Sequence, residues 1–292
     1  MASEPLIQWP EPIVQLVGFI AQFLAAGAIG FRFFVLRSRR IETDIFFYED
    51  AARRAAGMGL VGVLMGLVVM AYQLPGLAAR KHLTPGALLT GDTLTALQAV
   101  FLVLAVIGFA AALARWDRGW GTAAVGVVAG SLRAAFVGKW VSLVNPIHVL
   151  AAGLWIGTLF VLVVAGFGLL LTHEPTRARR GAIAADMVNG FSPLALSMGG
   201  VVVLFGVITA WRHLHRLDAL WTTPYGYALI VKLIFVAMVF GLGAWNWRRQ
   251  RPSLGSEPAA SSIRRSATAE LAVAAVVLLV TSIVVSLPSP KG

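Results

Sequence analysis

The chain has 292 residues, of which 58% are hydrophobic and 13% are charged. One globular core cannot hide that much apolar surface, so the composition excludes an ordinary soluble domain and indicates a protein that faces lipid. The formal net charge is +11 and there are 0 cysteines, which excludes disulfides and thiolate ligands. Because the basic residues stand in short runs between apolar segments, they favour a membrane topology, and no nucleic-acid partner is expected.

The apolar runs are long enough to cross a bilayer. A hydrocarbon core about 30 Å thick needs about 20 residues of helix. On that measure the sequence predicts eight transmembrane helices, over residues 13–36, 55–77, 92–115, 120–142, 145–171, 188–211, 225–247 and 267–287. The fourth run is the weakest pattern, because Ser131 and Arg133 interrupt it. The predicted fold class is an all-α polytopic membrane protein.

The orientation follows from the basic loops. Arginines collect in the connections between predicted helices one and two, three and four, five and six, and seven and eight. Loops rich in Lys and Arg stay in the cytoplasm, so we expect both termini to be extracytoplasmic.

The second and sixth predicted helices resemble each other in sequence. Residues 57–74 align with residues 197–214, so that Met58 matches Met198 and Gly66 matches Gly206. The sequence therefore predicts two pseudo-repeated four-helix halves, residues 1–142 and 143–292. Since each half has an even number of spans, an axis along the membrane normal would relate them.

Histidines are the first candidate metal ligands. His82, His148, His213 and His215 all fall on the predicted extracytoplasmic side, whereas His173 is cytoplasmic. Imidazole binds copper, zinc, iron or nickel, and a His-x-His pair such as 213 and 215 can chelate if the last helical turn frays. Ordinary surface histidines are the alternative interpretation.

Methionines are the second ligand type, since thioethers bind Cu(I). They stand at successive depths of the predicted helices: Met58, Met65, Met70, Met198 and Met238. A stepwise path for copper is one interpretation. Gap filling in an apolar core, for which Met is well suited, is the other.

A few polar residues lie inside predicted helices. His148 and Trp155 are seven residues apart and so share a helix face. Lys232 lies about two turns inside the seventh helix, where a casual surface lysine is not expected. Its candidate partners are Asp92, Asp218, Gln98, a lipid phosphate or a cofactor carboxylate. Asn246 and Glu270 stand near the inner ends of the last two helices and are expected to act as structural caps.

The second half is similar to the copper resistance D family of bacterial inner-membrane proteins. The similarity covers about residues 145–288 and rests on four stretches in the family's order: NPIHVLAAGLWIGTLF, FSPLALSMGGVVVLFGVITAW, TPYGYALIVKLIFVAMVFGLGAWNW and SIRRSATAELAVAAVVLL. The motif positions are His148, Trp155, Tyr225, Gly226, Lys232, Asn246 and Glu270. The resemblance implies a role in copper uptake or tolerance, together with a periplasmic copper-binding protein of the C type.

Two main functions stay open at this point. The first is a non-enzymatic inner-membrane transporter for Cu(I) or Cu(II), in which outer histidines capture the ion and it passes between helices. The second is a b-type haem or quinone redox protein, with histidines as axial ligands and Lys232 on a haem propionate. An assembly factor that moves no ion is a third possibility. Phosphate-binding glycine loops and hydrolase motifs are not found, so ATP-driven pumping and hydrolysis are poor hypotheses.

Overall fold

A computed structural model of the protein describes residues 9–36, 44–214, 216–250 and 259–288. These residues form long helices joined by short connections, and no strand occurs within these ranges. The long helices are α1 (Glu11–Val35), α2 (Ile45–Arg80), α3 (Thr93–Leu113), α4 (Asp117–Ser131), α5 (Trp140–Leu170), α6 (Glu174–Leu214), α7 (Pro224–Gln250) and α8 (Ala259–Ser286). Two short helices, Pro85–Gly91 and Ala219–Thr222, precede α3 and α7.

Seven of these helices are long and apolar enough to cross a membrane. They confirm the all-helical membrane class. The helix predicted at 120–142 differs from expectation, because α4 has 15 residues and ends at Ser131. Two 3₁₀ turns follow, Arg133–Val137 and Trp140–Leu143, separated by Gly138 in the left-handed conformation at φ 72°.

Two helices extend well beyond their predicted apolar runs. Helix α2 has 36 residues, and the span that forms α6 has 41. The added turns lie at one end of the bundle, where Phe47, Ile183 and Met187 are fully buried together with the core of α1 and α5. A hydropathy pattern misses these turns because they also carry charged residues on their other face.

Helix α1 lies at the centre and joins the two halves. It packs against α2, α5 and α8. At its crossing with α5 a side chain on Gly27 or Gly157 would overlap the facing backbone, so glycine is required for this close approach. Gly62 brings α2 equally close to Ala21 and Leu24 of α1. Whether the two halves are repeats stays a prediction.

The basic connections gather at one end of the bundle. Three ion pairs link them: Arg32–Asp117 at 3.4 Å, Arg115–Glu49 at 3.9 Å and Arg179–Asp44 at 2.9 Å. The connections that follow α1, α3 and α5 thus share one side, as the charge pattern predicts. Which side faces the cytoplasm is not fixed by these contacts and stays a prediction.

Candidate functional site

His148 lies between helices in the second half of the chain. It is half-buried, and its Nδ1 lies 2.9 Å from the carbonyl oxygen of Val202 in α6. A side chain on Gly206, one turn further along α6, would meet the Cε1 of His148 at 3.0 Å. Lys232 of α7 is close enough to act electrostatically on the ring. Three helices therefore meet in a first layer around this histidine.

A second layer lies about two helical turns further along the bundle. The rings of Trp155 in α5 and Phe240 in α7 have centroids 4.6 Å apart at an angle of 46°. Gly199 of α6 faces both rings, since a side chain there would meet Phe240 at 3.2 Å and Trp155 at 3.8 Å. This layer closes the space below His148 with aromatic surface.

The two layers follow from helical register. Residues 148 and 155 on α5 are seven apart, and so are residues 206 and 199 on the antiparallel α6. Seven residues are nearly two turns, or about 10 Å, so each pair returns to the same face one layer lower. Helix α6 therefore contacts the face of α5 on which His148 and Trp155 were predicted to lie together.

Helix α5 is held rigidly behind this site. Two π-helical segments interrupt it, Gly153–Gly157 and Leu162–Phe167. Between His148 and the first of them α5 turns towards α1, and Gly153 and Gly157 pack on Ala26 and Phe23. A π segment widens the helix and is often found beside functional residues. Here it lets the glycine face meet α1 while Trp155 points to α6 and α7.

The hydrogen bond to Val202 defines the chemistry of His148. A carbonyl oxygen only accepts, so the Nδ1 of His148 carries the proton and donates it. In the neutral ring the lone pair is then on Nε2, which can bind a metal ion. Within the described ranges no three His, Asp or Glu side chains are grouped so as to hold one ion, so an ion here has few protein ligands.

The other predicted histidines lie elsewhere. His213 is exposed, its Nδ1 is 2.8 Å from the carbonyl oxygen of Thr209, and its ring stacks on Tyr225 at 5.9 Å. The carbonyl that His213 contacts, Thr209, is seven residues further along α6 than Val202, the partner of His148. The two hydrogen bonds are therefore about 10 Å apart along the helix. His82 is an exposed residue in the left-handed conformation just after α2, and His215 lies outside the described residues.

The methionines occupy different surroundings. Met58 packs against the main core from its edge, and Met65 and Met198 are half-buried. Met238 is 46% exposed on α7 and faces the surroundings of the bundle. Met187, which the sequence did not single out, is the fully buried methionine and packs on Gly166. Packing accounts for the environment of Met58 and Met187; a role as ligands stays a prediction.

The remaining family-motif residues shape the bundle. Tyr225 is buried, and a side chain on Gly226 would overlap the carbonyl oxygens of Ala219 and Leu220. Tyr225 and Gly226 therefore pack the start of α7 against the short helix Ala219–Thr222. At the other end of α7, the Asn246 amide donates a hydrogen bond to the Glu270 carboxylate of α8. This contact joins α7 to α8, and a role of the two residues as structural caps stays a prediction.

The candidate acidic partners of Lys232 are engaged with other cations. Asp92 pairs with Lys81 at 2.6 Å and caps α3, and these bonds from Lys81 and Thr95 lower the pKa of Asp92 to about 2. Asp218 pairs with Arg216, whose hydrogen bond lowers the pKa of that carboxyl. Neither carboxylate is available to Lys232 in this arrangement.

Sequence reasoning missed three residues of the site. Phe240, Val202 and Gly199 were not singled out as functional residues. A search for small residues spaced seven apart on α6, matching 148 and 155 on α5, would have found Gly199 and Gly206.

Comparison with known proteins gives a family match in the second half of the chain, which also contains His148. Residues 185–284 match the family model described as copper resistance protein D. Over 151 residues the chain is 32% identical to the copper transport protein CutJ of Bacillus subtilis strain 168, which covers 51% of this chain and 25% of that protein. The chain therefore spans about a quarter of the length of this curated relative. No solved structure matches. The resemblance drawn from the four motifs is confirmed: this is a polytopic membrane protein whose residues 185–284 match the copper resistance protein D family model.

Proposed function

We propose that the protein transports copper ions across the bacterial inner membrane, through the second half of the chain. The observation that carries this proposal is the geometry of His148. Its Nδ1 is committed to Val202, which leaves Nε2 as a metal ligand at a depth where three transmembrane helices meet. The family match of residues 185–284 and the name of the relative support copper as the ion.

The order of events follows from the layers. His82, His213 and His215 at the outer end make the first contact with copper, and the ion moves inward to His148. Beneath it, Trp155 and Phe240 close the path, so passage requires their rings to separate. Met198 is the residue next to Gly199 in that lower layer and offers a thioether to Cu(I) on the inner side. Uptake is the direction that this sequence of ligands serves.

Lys232 keeps the His148 site weak. For charges about 6 Å apart in an effective dielectric of about 20, the repulsion between an ammonium and Cu(I) is of order 3 kcal/mol. A transported ion must leave each site, so a nearby fixed cation favours passage over storage. This role explains a lysine at membrane depth without an acidic partner on the same helix.

We further propose that the protein crosses the membrane eight times. Helix α4 alone is about 22 Å long at 1.5 Å per residue. The 3₁₀ turn Arg133–Val137 adds about 10 Å, which brings the segment to the thickness of a bilayer core. Eight spans put both termini on the same side of the membrane, which the charge pattern predicts to be the extracytoplasmic one. There a periplasmic copper-binding protein of the C type delivers the ion.

Copper uptake into proteoliposomes tests the function. We expect the wild-type protein to import copper and His148→Ala to lower the initial rate at least tenfold, because the ion loses its ligand at the helix junction. His173→Ala is the matched control, since it removes an imidazole from the connection between α5 and α6, outside the proposed route, and should change the rate less than twofold. Equal rates for wild type and His148→Ala would refute this route.

The haem alternative finds no support in the comparisons, which concern copper. A b-type haem with two axial histidines needs a second imidazole at the depth of His148. His213 lies about 10 Å away along α6, and His82 is beyond the end of α2. We therefore do not carry this function further.

A further inference from the structure

The first half of the chain contains a cavity of its own. It has a volume of about 170 Å³ and lies among α1, α2, α3 and α4. Glycine, alanine, valine and leucine form most of its wall. Four polar side chains also line it: Gln22, Gln98, Ser131 and Arg133. The copper proposal uses none of them.

The cavity lies within the membrane-spanning part of the bundle. Gln22 is 11 residues beyond the start of α1, or about 16 Å along it. Gln98 is five residues, or about 8 Å, inside α3. Phe136 is three residues after Arg133. The centroid of its ring lies 5.6 Å from that of Phe101, which belongs to α3. Arg133 is half-buried and lies beside the membrane-spanning helix α3.

Glycines and the end of α4 create the space. Gly126 meets the backbone of Ala105 closely, which draws α4 onto α3. Because α4 then ends at Ser131, the next turn is displaced and the Arg133 side chain turns back into the bundle. Its Nη1 donates to the carbonyl oxygen of Gly130 at 3.0 Å.

Hydrogen bonds at the cavity leave N–H groups of Arg133 for a ligand. Gln22 Nε2 donates to Ser131 Oγ at 2.8 Å, and that hydroxyl donates to Val127 at 2.7 Å. A guanidinium has five N–H groups, of which Arg133 places one on Gly130. Among the described residues that line the cavity none is acidic. A guanidinium in an apolar cavity without an acidic neighbour favours an anionic ligand.

We propose that this cavity binds a phosphate group, with Arg133 as its counter-ion and Gln22 and Gln98 as neutral donors. The guanidinium fork matches the oxygens of phosphate, and the small cavity has room for one such group. The phosphate can come from a phospholipid headgroup or from inorganic phosphate in solution. Either source supplies the same oxygens to the same donors.

Two measurements on the purified full-length protein distinguish the sources. Phosphorus analysis after extensive detergent washing reports retained phospholipid, and we expect about one per chain in wild type and a drop to background in Arg133→Gln. For inorganic phosphate, the midpoint of thermal unfolding of delipidated protein should rise with phosphate in wild type and stay constant in the variant.

The matched control is Arg118→Gln, which removes an equal charge from an exposed position in the first turn of α4. It should bind phosphate as wild type does. If Arg133→Gln fails to fold, Gln98→Leu replaces it and should weaken phosphate binding several-fold. Wild-type protein that neither retains phospholipid nor responds to phosphate overturns the proposal, as does an Arg133→Gln variant that matches Arg118→Gln.

Discussion

Replacing Gly206 by alanine tests whether the position of His148 matters for copper. The added Cβ would lie 3.0 Å from Cε1 and 3.4 Å from Nδ1 of the ring, whereas ordinary contact begins at 3.4 Å. The ring must therefore withdraw by a few tenths of an ångström, and its 2.9 Å hydrogen bond to Val202 lengthens. A hydrogen bond of this kind contributes about 1 kcal/mol net. We expect copper affinity to fall about fivefold, since 1.4 kcal/mol corresponds to a factor of ten.

The measurement is a Cu(I) competition titration against a chromogenic chelator in detergent, followed by the initial rate of uptake in proteoliposomes. Gly200→Ala is the control, because it makes the same backbone change in the same helix and its Cβ would meet nothing within 4 Å. Both variants should unfold at similar temperatures. If Gly206→Ala binds copper as tightly as Gly200→Ala does, the orientation of His148 is irrelevant and the proposed site is wrong.

Two more predictions concern charges. Lys232→Met removes a repulsion of about 3 kcal/mol, so the affinity for Cu(I) should rise up to about 100-fold while release and turnover slow. An unchanged Cu(I) titration would show that the lysine does not act on the ion. The Lys81–Asp92 pair should make stability depend on acid. The pKa of Asp92 is lowered from 3.8 to about 2 by bonds from Lys81 and Thr95, so its contribution is present above pH 4 or so and is lost as the pH falls towards 2. Thermal unfolding followed by circular dichroism should therefore lose more stability over this interval in wild type than in Lys81→Met, and parallel losses would exclude the pair as the cause.

Much of the architecture is readable from the chain alone. Apolar runs of about 20 residues predicted the seven long membrane helices, because lipid forces each backbone segment to satisfy its own hydrogen bonds. The charge pattern also predicted that the connections after α1, α3 and α5 share one side, and their ion pairs join there. Four local motifs were enough to predict a resemblance to the family whose model matches residues 185–284.

The site depended on packing between distant segments. Periodicity placed His148 and Trp155 on one face, but only the antiparallel register of α5 and α6 shows that Gly206 and Gly199 receive them. The sequence marked Ser131 and Arg133 as an interruption of the fourth run, but only the packed structure shows that α4 ends at Ser131 and that Arg133 lines a cavity. Hydropathy records how each residue partitions between water and lipid, whereas the approach of two helices depends on which small side chains happen to face each other across the bundle. The sequence by itself therefore determined seven long helices, which of their connections share a side, and the family resemblance, and the tertiary structure decided which polar side chains meet inside the bundle.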